Sequence, residues 1–166
     1  KNFVITSNRK KRKETFVIRL LYNVHLILTF LFTFKWMSFG NFTTFHSKNL
    51  EKILKQNDSL LAHSSSIIKN CKIKRLFAKR GKRYFDKSKL SLVNLIEHSL
   101  RVNAVFLKRV SFSSFFYLLI LHSLNLEIFI QTIFSILVII FWALIIYIEN
   151  KHSMSFLNID NLVETV

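Results

Sequence analysis

The feature that most limits how this chain can fold is the uncharged run at residues 128–148, IFIQTIFSILVIIFWALIIYI. As a helix, these 21 residues would extend about 31 Å, which matches the hydrocarbon core of a bilayer. Trp142 and Tyr147 stand near one end of the run, where aromatic side chains favour the membrane interface. The sequence therefore predicts a transmembrane helix at 128–148.

A second apolar segment lies near the start of the chain, at residues 16–39. Twenty of its residues would extend about 30 Å as a helix, but Asn23, His25 and Lys35 interrupt them. We predict a transmembrane helix here, with a re-entrant segment or one buried against protein as the alternative. A basic N-terminal tail, residues 1–15, precedes it; its charge resembles that of an import presequence, and we expect it to be retained.

Residues 40–110 are predicted to form a basic, amphipathic and mostly helical loop region. Around residues 89–110, apolar and polar side chains fall on opposite sides of a helical projection, and Asp86 or Ser88 would cap that helix. The predicted apolar side comprises Leu92, Val93, Ile96, Leu100, Ala104 and Leu107.

A hydrophobic region at residues 111–148 leads into the transmembrane helix, and a polar C-terminal tail, residues 149–166, follows it. Residues 112–122 are too short to cross a bilayer, so they form either the first half of a bent helix or one arm of a helical hairpin that turns at 123–127. The patterns together predict an all-α membrane protein, with one or two transmembrane helices flanking a basic, mostly helical extramembrane region.

The net charge of +16 is concentrated outside the apolar segments, and residues 46–110 carry sixteen Lys or Arg against four acids. Positive charge favours the inner side of a membrane, which predicts that this loop lies on the matrix side. The C-terminal tail would lie opposite if residues 112–148 crossed once. The N-terminal tail is also basic, so a crossing by residues 16–39 would put one basic region on the disfavoured side.

The densest positive charge lies in residues 71–85, CKIKRLFAKRGKRYF, with seven Lys or Arg and no acid. Such a strip suits anionic lipid headgroups, where each Lys or Arg near the surface contributes about 1 kcal/mol. It also suits RNA, with cations on phosphates and aromatic rings on unpaired bases. Its place between two membrane-directed segments favours lipid. The predicted lipid or phosphate contacts are Lys72, Lys74, Arg75, Lys79, Arg80, Lys82 and Arg83.

Polar residues within the apolar segments are the remaining site candidates. Glu127, Gln131 and Ser135 recur every fourth residue and predict a stripe for helix–helix packing, with a proton or quinone role for Glu127 as the alternative. His25 and His122 are weak candidates for haem ligands on facing helices, and hydrogen-bonded packing is favoured for both.

The sequence offers no catalytic motif. With 2 Gly and no Pro, it has neither a phosphate-binding loop nor the helix breaks of an ion-translocating core, and no Cys/His cluster has zinc spacing. The single cysteine, Cys71, is expected to be a small packing residue. We predict no enzyme activity, no cofactor and no metal site.

Residue usage suggests A/T-rich coding, as in many organelle genomes, because Phe is abundant at 18 and Lys outnumbers Arg 17 to 8. We therefore predict a non-catalytic accessory subunit of a multi-subunit complex in an organelle inner membrane, such as a mitochondrial respiratory-chain or ATP-synthase complex. Its partners would be other membrane subunits and anionic lipid. The alternative is a mitochondrial ribosomal protein that binds rRNA through its basic loop, and a lesser one is a haem- or quinone-binding membrane anchor subunit.

Overall fold

The computed structural model describes residues 3–9, 16–54, 58–78, 91–124 and 126–163. These residues form a mostly helical protein with one small sheet. The elements, in chain order, are β1 (Phe3–Arg9), α1 (Phe16–Thr33), β2 (Phe39–Thr44), a 3-10 turn (Ser47–Asn49), α2 (Leu50–Leu54), α3 (Asp58–Leu61), α4 (His63–Asn70), β3 (Lys72–Ala78), α5 (Leu92–Ala104), α6 (Leu107–Ser123) and α7 (Ile128–Val163).

A three-stranded sheet, in the order β2–β1–β3, shows that the prediction of an all-α fold is wrong for these segments. β1 pairs with β2 antiparallel and with β3 in parallel. Its side chains alternate as a strand requires, because Val4, Thr6 and Asn8 are buried whereas Phe3 and Ile5 are exposed. The sequence predicts a polar tail at this strand because the cations that follow it dominate the composition of the segment.

The buried side of the sheet packs against the short helices α2 and α4. Val4, Ile53 and Ile67 fill the centre of this contact, and Ile73 of β3 packs against them. Burying an aliphatic side chain of this size contributes roughly 1.5–3 kcal/mol. The sheet is therefore held to the helices by a small apolar core of its own.

The amphipathic helix predicted at residues 89–110 is in fact two helices, α5 and α6, that meet at 91°. α5 ends at Ala104, and the next two residues, Val105 and Phe106, are buried. Phe106 leaves helical geometry, with φ −109° and ψ 29°. Core packing of these two side chains therefore breaks a helix that the apolar periodicity would continue.

Ser91 caps the start of α5, since its side chain accepts a hydrogen bond from the backbone N–H of Asn94 at 3.2 Å. The caps predicted from the sequence, Asp86 and Ser88, lie outside the described residues. Along the predicted apolar side of α5, Ala104 is buried but Leu92 and Ile96 are exposed. The first half of that side therefore has no cover within the described part of the chain.

α6 and α7 form an antiparallel helical hairpin. Trp142 Nε1 donates to Ser111 Oγ at 2.9 Å near its base, and Gln131 Nε2 lies 3.5 Å from His122 Nδ1 near its tip. Of the two arrangements predicted for residues 112–122, the structure has the hairpin.

A core forms where α1, α5, α6 and α7 meet at the base of the hairpin. The ring of Phe32 on α1 lies 4.5 Å from that of Phe141 and 5.4 Å from that of Tyr117, between centroids. The fully covered residues of this core are Phe32, Ala104, Val110, Ile145 and Ile148.

Within the described residues, two helices are long and apolar enough to cross a membrane. They are α1, with a mean hydropathy of 1.7, and the part Ile128–Ser153 of α7, with a mean hydropathy of 2.6. Only 22% of the first and 6% of the second is buried by the rest of the chain. α7 in particular leaves most of its apolar surface to be covered by something else.

Candidate membrane anchor and basic surface

The hairpin exposes large apolar side chains around most of its circumference. Soluble monomers rarely leave apolar patches larger than a few hundred Å² in contact with water. A surface of this kind therefore matches lipid or the helices of a partner. Exposed members on α6 and α7 include Phe112, Phe115, Leu119, Ile133, Leu137, Ile139 and Leu144.

The predicted polar stripe is divided between the tip of the hairpin and its inner side. Glu127 directly precedes α7 and is exposed, and its carbonyl accepts from the backbone N–H of Gln131 at 3.0 Å. The side chain of Gln131 faces His122 of α6, and Ser135 is half-buried one turn further along. Gln131 thus lies in a helix–helix contact, while a chemical role for Glu127 stays a prediction.

A line of polar side chains, the polar seam, joins α1 to α5 and α6. His25 Nδ1 lies 2.5 Å from Ser99 Oγ, and Asn103 Nδ2 donates to Thr29 Oγ1 at 3.2 Å. The α1 residues are four apart and so are their α5 partners, which means that the two helices run in the same direction along the seam. The seam consists of His25, Thr29, Thr33, Ser99, Asn103 and Ser113.

Beyond the corner, side chains of α6 cap the end of α1. Ser113 Oγ donates to the carbonyl of Phe32 at 3.0 Å, and Arg109 Nη1 donates to that of Thr33 at 3.2 Å. Both carbonyls belong to the last turn of α1, where intrahelical donors run out. The next residue, Phe34, has φ 54°, a left-handed conformation that ends the helix.

Sequence reasoning does not find the polar seam, although its α1 members carry a usable signal. His25, Thr29 and Thr33 recur every fourth residue within an otherwise apolar helix. Polar groups with that spacing in an apolar helix ordinarily face other protein. The α5 partners Ser99 and Asn103 are also four apart, but other polar residues around them, such as Asn94 and His98, obscure that spacing.

Replacing Asn103 by alanine should lower the free energy of unfolding by roughly 1–3 kcal/mol. Asn103 is 1% exposed, and its replacement removes the buried side-chain donor that lies 3.2 Å from Thr29 Oγ1 and 2.9 Å from the Ser99 carbonyl. Asn94→Ala is the matched control, because Asn94 is an exposed residue of the same helix and its replacement brings the same gain in helix propensity. Denaturant unfolding in detergent measures both, and equal effects would contradict the seam.

The two candidate haem histidines lie in different contacts. His25 belongs to the polar seam, where Thr29 Oγ1 lies 3.3 Å from the same ring nitrogen that faces Ser99. His122 is exposed near the tip of the hairpin, beside Gln131. The contacts of His25 are those of a hydrogen-bonded packing residue, and haem ligation by the pair stays a weak alternative.

The outer side of the sheet, the open face, carries cations among exposed apolar side chains. The register places Phe3 beside Lys72 and Ile5 beside Lys74, so these four side chains share one side of the sheet. Thr44 of β2 lies on the same side because it pairs with Ile5. The open face consists of Phe3, Ile5, Thr44, Lys72, Lys74 and Leu76.

The predicted lipid or phosphate contacts that lie on β3 are therefore divided between the two sides of the sheet, because side chains alternate along a strand. Lys72 and Lys74 are exposed on the open face. Arg75 points to the other side, where its Nη2 donates to the carbonyl of Trp36 at 2.6 Å and holds the segment that follows α1. The other predicted contacts lie outside the described residues: Lys79, Arg80, Lys82 and Arg83.

An ion pair lies on the surface of α5. Arg101 Nη2 donates to Glu97 Oε1 at 2.8 Å, one helical turn away, and both side chains are about one-third exposed. This hydrogen bond and the charge of Arg101 hold the pKa of the Glu97 carboxyl below its ordinary value of 4.5. The pair therefore favours the ionised carboxylate in the folded protein.

Acidification should remove the small stabilisation that this pair provides. Because the pKa of Glu97 is lower in the folded than in the unfolded protein, the stabilisation is present above pH 4.5 and is lost as the pH falls through the folded pKa. The melting temperature should therefore fall less between neutral pH and about pH 3 in Glu97→Gln than in the unmodified protein. Parallel curves for the two proteins would show that the pair contributes nothing.

Reactive groups are scarce in the part of the chain that the structure describes. No group of three or more His, Cys, Asp or Glu is placed there to hold a metal ion. Burial raises the pKa of the Cys71 thiol, which keeps it protonated at neutral pH.

Comparison of the chain with family models, with curated proteins and with solved structures found no match. No role, partner or ligand is therefore carried over from a relative. The functional interpretation rests on the hairpin, the polar seam and the open face.

Proposed function

We propose that this chain is a non-catalytic accessory subunit of a multi-subunit complex in an organelle inner membrane. The observation that carries the proposal is the hairpin, whose apolar surface the rest of the described chain leaves uncovered. Lipid would cover most of that surface. Partner helices would cover the rest of it.

A mitochondrial complex of the respiratory-chain or ATP-synthase type is the setting that composition favours. The abundance of Phe at 18, together with 2 Gly and no Pro, suggests an A/T-rich organelle genome. The net charge of +16 suits a membrane surface rich in anionic lipid. A subunit of this kind would hold lipid and neighbouring helices in place.

The hairpin supports an orientation with the basic regions on the matrix side. Arg101 and Glu97 of α5 lie near Lys151 and His152 of α7, so the chain beyond the hairpin returns to the end where α5 lies. The expectation that the C-terminal tail lies opposite required residues 112–148 to cross once, whereas in the proposed orientation α6 and α7 run antiparallel and both ends of the hairpin base lie on one side. Placing α5 and this end of α7 inside satisfies the preference for positive charge there.

Alkaline carbonate extraction and native electrophoresis test this function. The chain should stay in the membrane pellet after carbonate, and nuclease with high salt should not release it. After mild solubilisation it should migrate within an assembly far larger than its own 19.7 kDa. Migration as a free monomer would contradict the accessory role, and release by carbonate would contradict the membrane anchor.

A mitochondrial ribosomal protein is the second candidate, and the open face is the observation that favours it. The exposed ring of Phe3 beside Lys72, with Lys74 on the same side of the sheet, resembles the platforms on which sheets stack unpaired bases and neutralise phosphates. The hairpin weighs against it, because RNA cannot cover an apolar surface. Co-sedimentation with rRNA that disappears after nuclease treatment would favour this candidate over the first.

A further inference from the structure

The two ends of α1 connect to neighbouring strands of the sheet. β1 precedes α1 and β2 follows it, and these neighbouring strands place Asn8 opposite Phe39. Asn8 Nδ2 also donates to Ser38 Oγ at 2.8 Å. The chain therefore leaves the sheet, forms α1 and comes back to the strand beside its starting point.

The two links between the sheet and α1 are too short for α1 to cross a bilayer. Arg9 and Phe16 are seven residues apart, a reach of at most about 25 Å, and Thr33 and Phe39 are six apart, a reach of about 22 Å. If α1 crossed, the link from its far end would have to return to the sheet through about 30 Å of hydrocarbon. The first link also contains four cations, which hydrocarbon excludes: Lys10, Lys11, Arg12 and Lys13.

The corner between α5 and α6 gives α1 its direction relative to the hairpin. α5 meets α6 at 91°, and the polar seam makes α1 run with α5. When the hairpin lies perpendicular to the membrane plane, α5 and α1 therefore lie parallel to that plane. The geometry of the corner and the short links lead independently to the same orientation.

The outer side of α1 has the character of a helix that lies on a bilayer. Its polar residues His25 and Thr29 are occupied in the seam, and the side away from the seam is exposed and mostly apolar, with Arg19 and Asn23 as its polar members. The start of α5 also exposes apolar side chains, namely Leu92, Val93 and Ile96. Helices with one apolar side and one polar side bind at the membrane interface. The exposed apolar residues of α1 include Phe16, Val17, Leu20, Leu21, Val24, Ile27 and Leu31.

We infer that α1 and the first half of α5 lie in the plane of the membrane surface, with their exposed apolar side chains in contact with the bilayer. The hairpin is then the part of the described chain that enters the hydrocarbon core, and β1 and β2 lie on the same side of the membrane. This inference rests on the proposed membrane anchor and adds to it the surface by which the rest of the chain lies against lipid.

Cysteine accessibility on the two sides of α1 tests the orientation. In a Cys71→Ser background, Ser7→Cys marks β1 and Thr44→Cys marks β2. A membrane-impermeant maleimide should label both in one of two preparations, right-side-out or inside-out sealed vesicles, and neither in the other until detergent is added. Labelling of the two positions in opposite preparations would overturn the inference alone, whereas release of the whole protein by carbonate would overturn the membrane anchor with it.

Photo-crosslinking identifies what covers the outer side of α1. A benzophenone attached to Ile27→Cys, in purified protein reconstituted into phosphatidylcholine and phosphatidylglycerol vesicles, should form adducts with lipid. The same probe at Ile139→Cys on α7 is the positive control for lipid contact. An adduct with a second copy of the chain, or reaction with water alone, would overturn the contact between α1 and the bilayer.

Discussion

Truncation of Ile145 to alanine is expected to lower the free energy of unfolding by roughly 2–5 kcal/mol. Ile145 is 0% exposed and packs in one core with Phe32, Val110 and Ile148. Helices α1, α5, α6 and α7 meet at this core, so they cannot all shift inward to fill the space that the smaller side chain leaves. A cavity therefore remains, and its cost adds to that of the lost apolar contacts.

Leu144→Ala is the matched control for this substitution. Leu144 is the adjacent residue of α7 and loses a similar volume, but it is 43% exposed and its replacement leaves no enclosed cavity. Its expected cost stays below about 1 kcal/mol. Reversible unfolding in mixed micelles measures both variants. Similar losses at the two positions would show that the core at the base of the hairpin is not formed.

An arginine on the outer side of the hairpin should strongly reduce its insertion into the membrane. Ile139 is 49% exposed and lies close to the middle of residues 128–148. A charged side chain at the centre of a spanning helix costs about 2.5–3.5 kcal/mol, which corresponds to a roughly 60- to 300-fold less favourable insertion equilibrium. The fraction of Ile139→Arg that stays in the pellet after carbonate extraction should fall accordingly.

Thr44→Arg controls for the added charge itself. Thr44 is exposed on the open face, outside the hairpin, so its replacement changes the net charge by the same amount without placing a cation in hydrocarbon. This variant should remain in the pellet as the unmodified protein does. Retention of Ile139→Arg at the same level as Thr44→Arg would mean that α7 does not contact lipid at this position.

The apolar helices could be predicted from the sequence because their signal is local. An uncharged run is sufficient to predict α7, and the apolar segment at residues 16–39 predicts α1. The local sequence does not decide between a hairpin and a bent helix for residues 112–122. That choice depends on contacts such as Trp142 with Ser111, which join residues 31 positions apart.

The sheet and the corner between α5 and α6 could not be predicted, because they depend on contacts between residues far apart in the sequence. Val4 pairs with Ile73, and cations around both strands hide the alternation of their side chains. The helical pattern of α5 continues through Val105 and Phe106, and only burial of these two residues against other elements breaks it. Tertiary packing overrides local propensity in both cases.

The polar seam could be predicted in part. The spacing of His25, Thr29 and Thr33 shows that one side of α1 faces protein, and this much is visible in the sequence. The partners Ser99 and Asn103 come into line only because α5 runs beside α1. Half of this contact could therefore be predicted, and its consequence for the orientation of α1 could not.

The most direct test of the account is the environment of the hairpin in a bilayer, measured with spin labels. In the Cys71→Ser background, labels at Ile139→Cys on α7 and Leu119→Cys on α6 would be compared with one at Thr44→Cys on the open face. The first two should collide readily with oxygen and be shielded from a water-soluble nickel chelate, whereas the third should show the reverse. Equal access of the chelate to all three positions would contradict a hairpin that lies in the membrane.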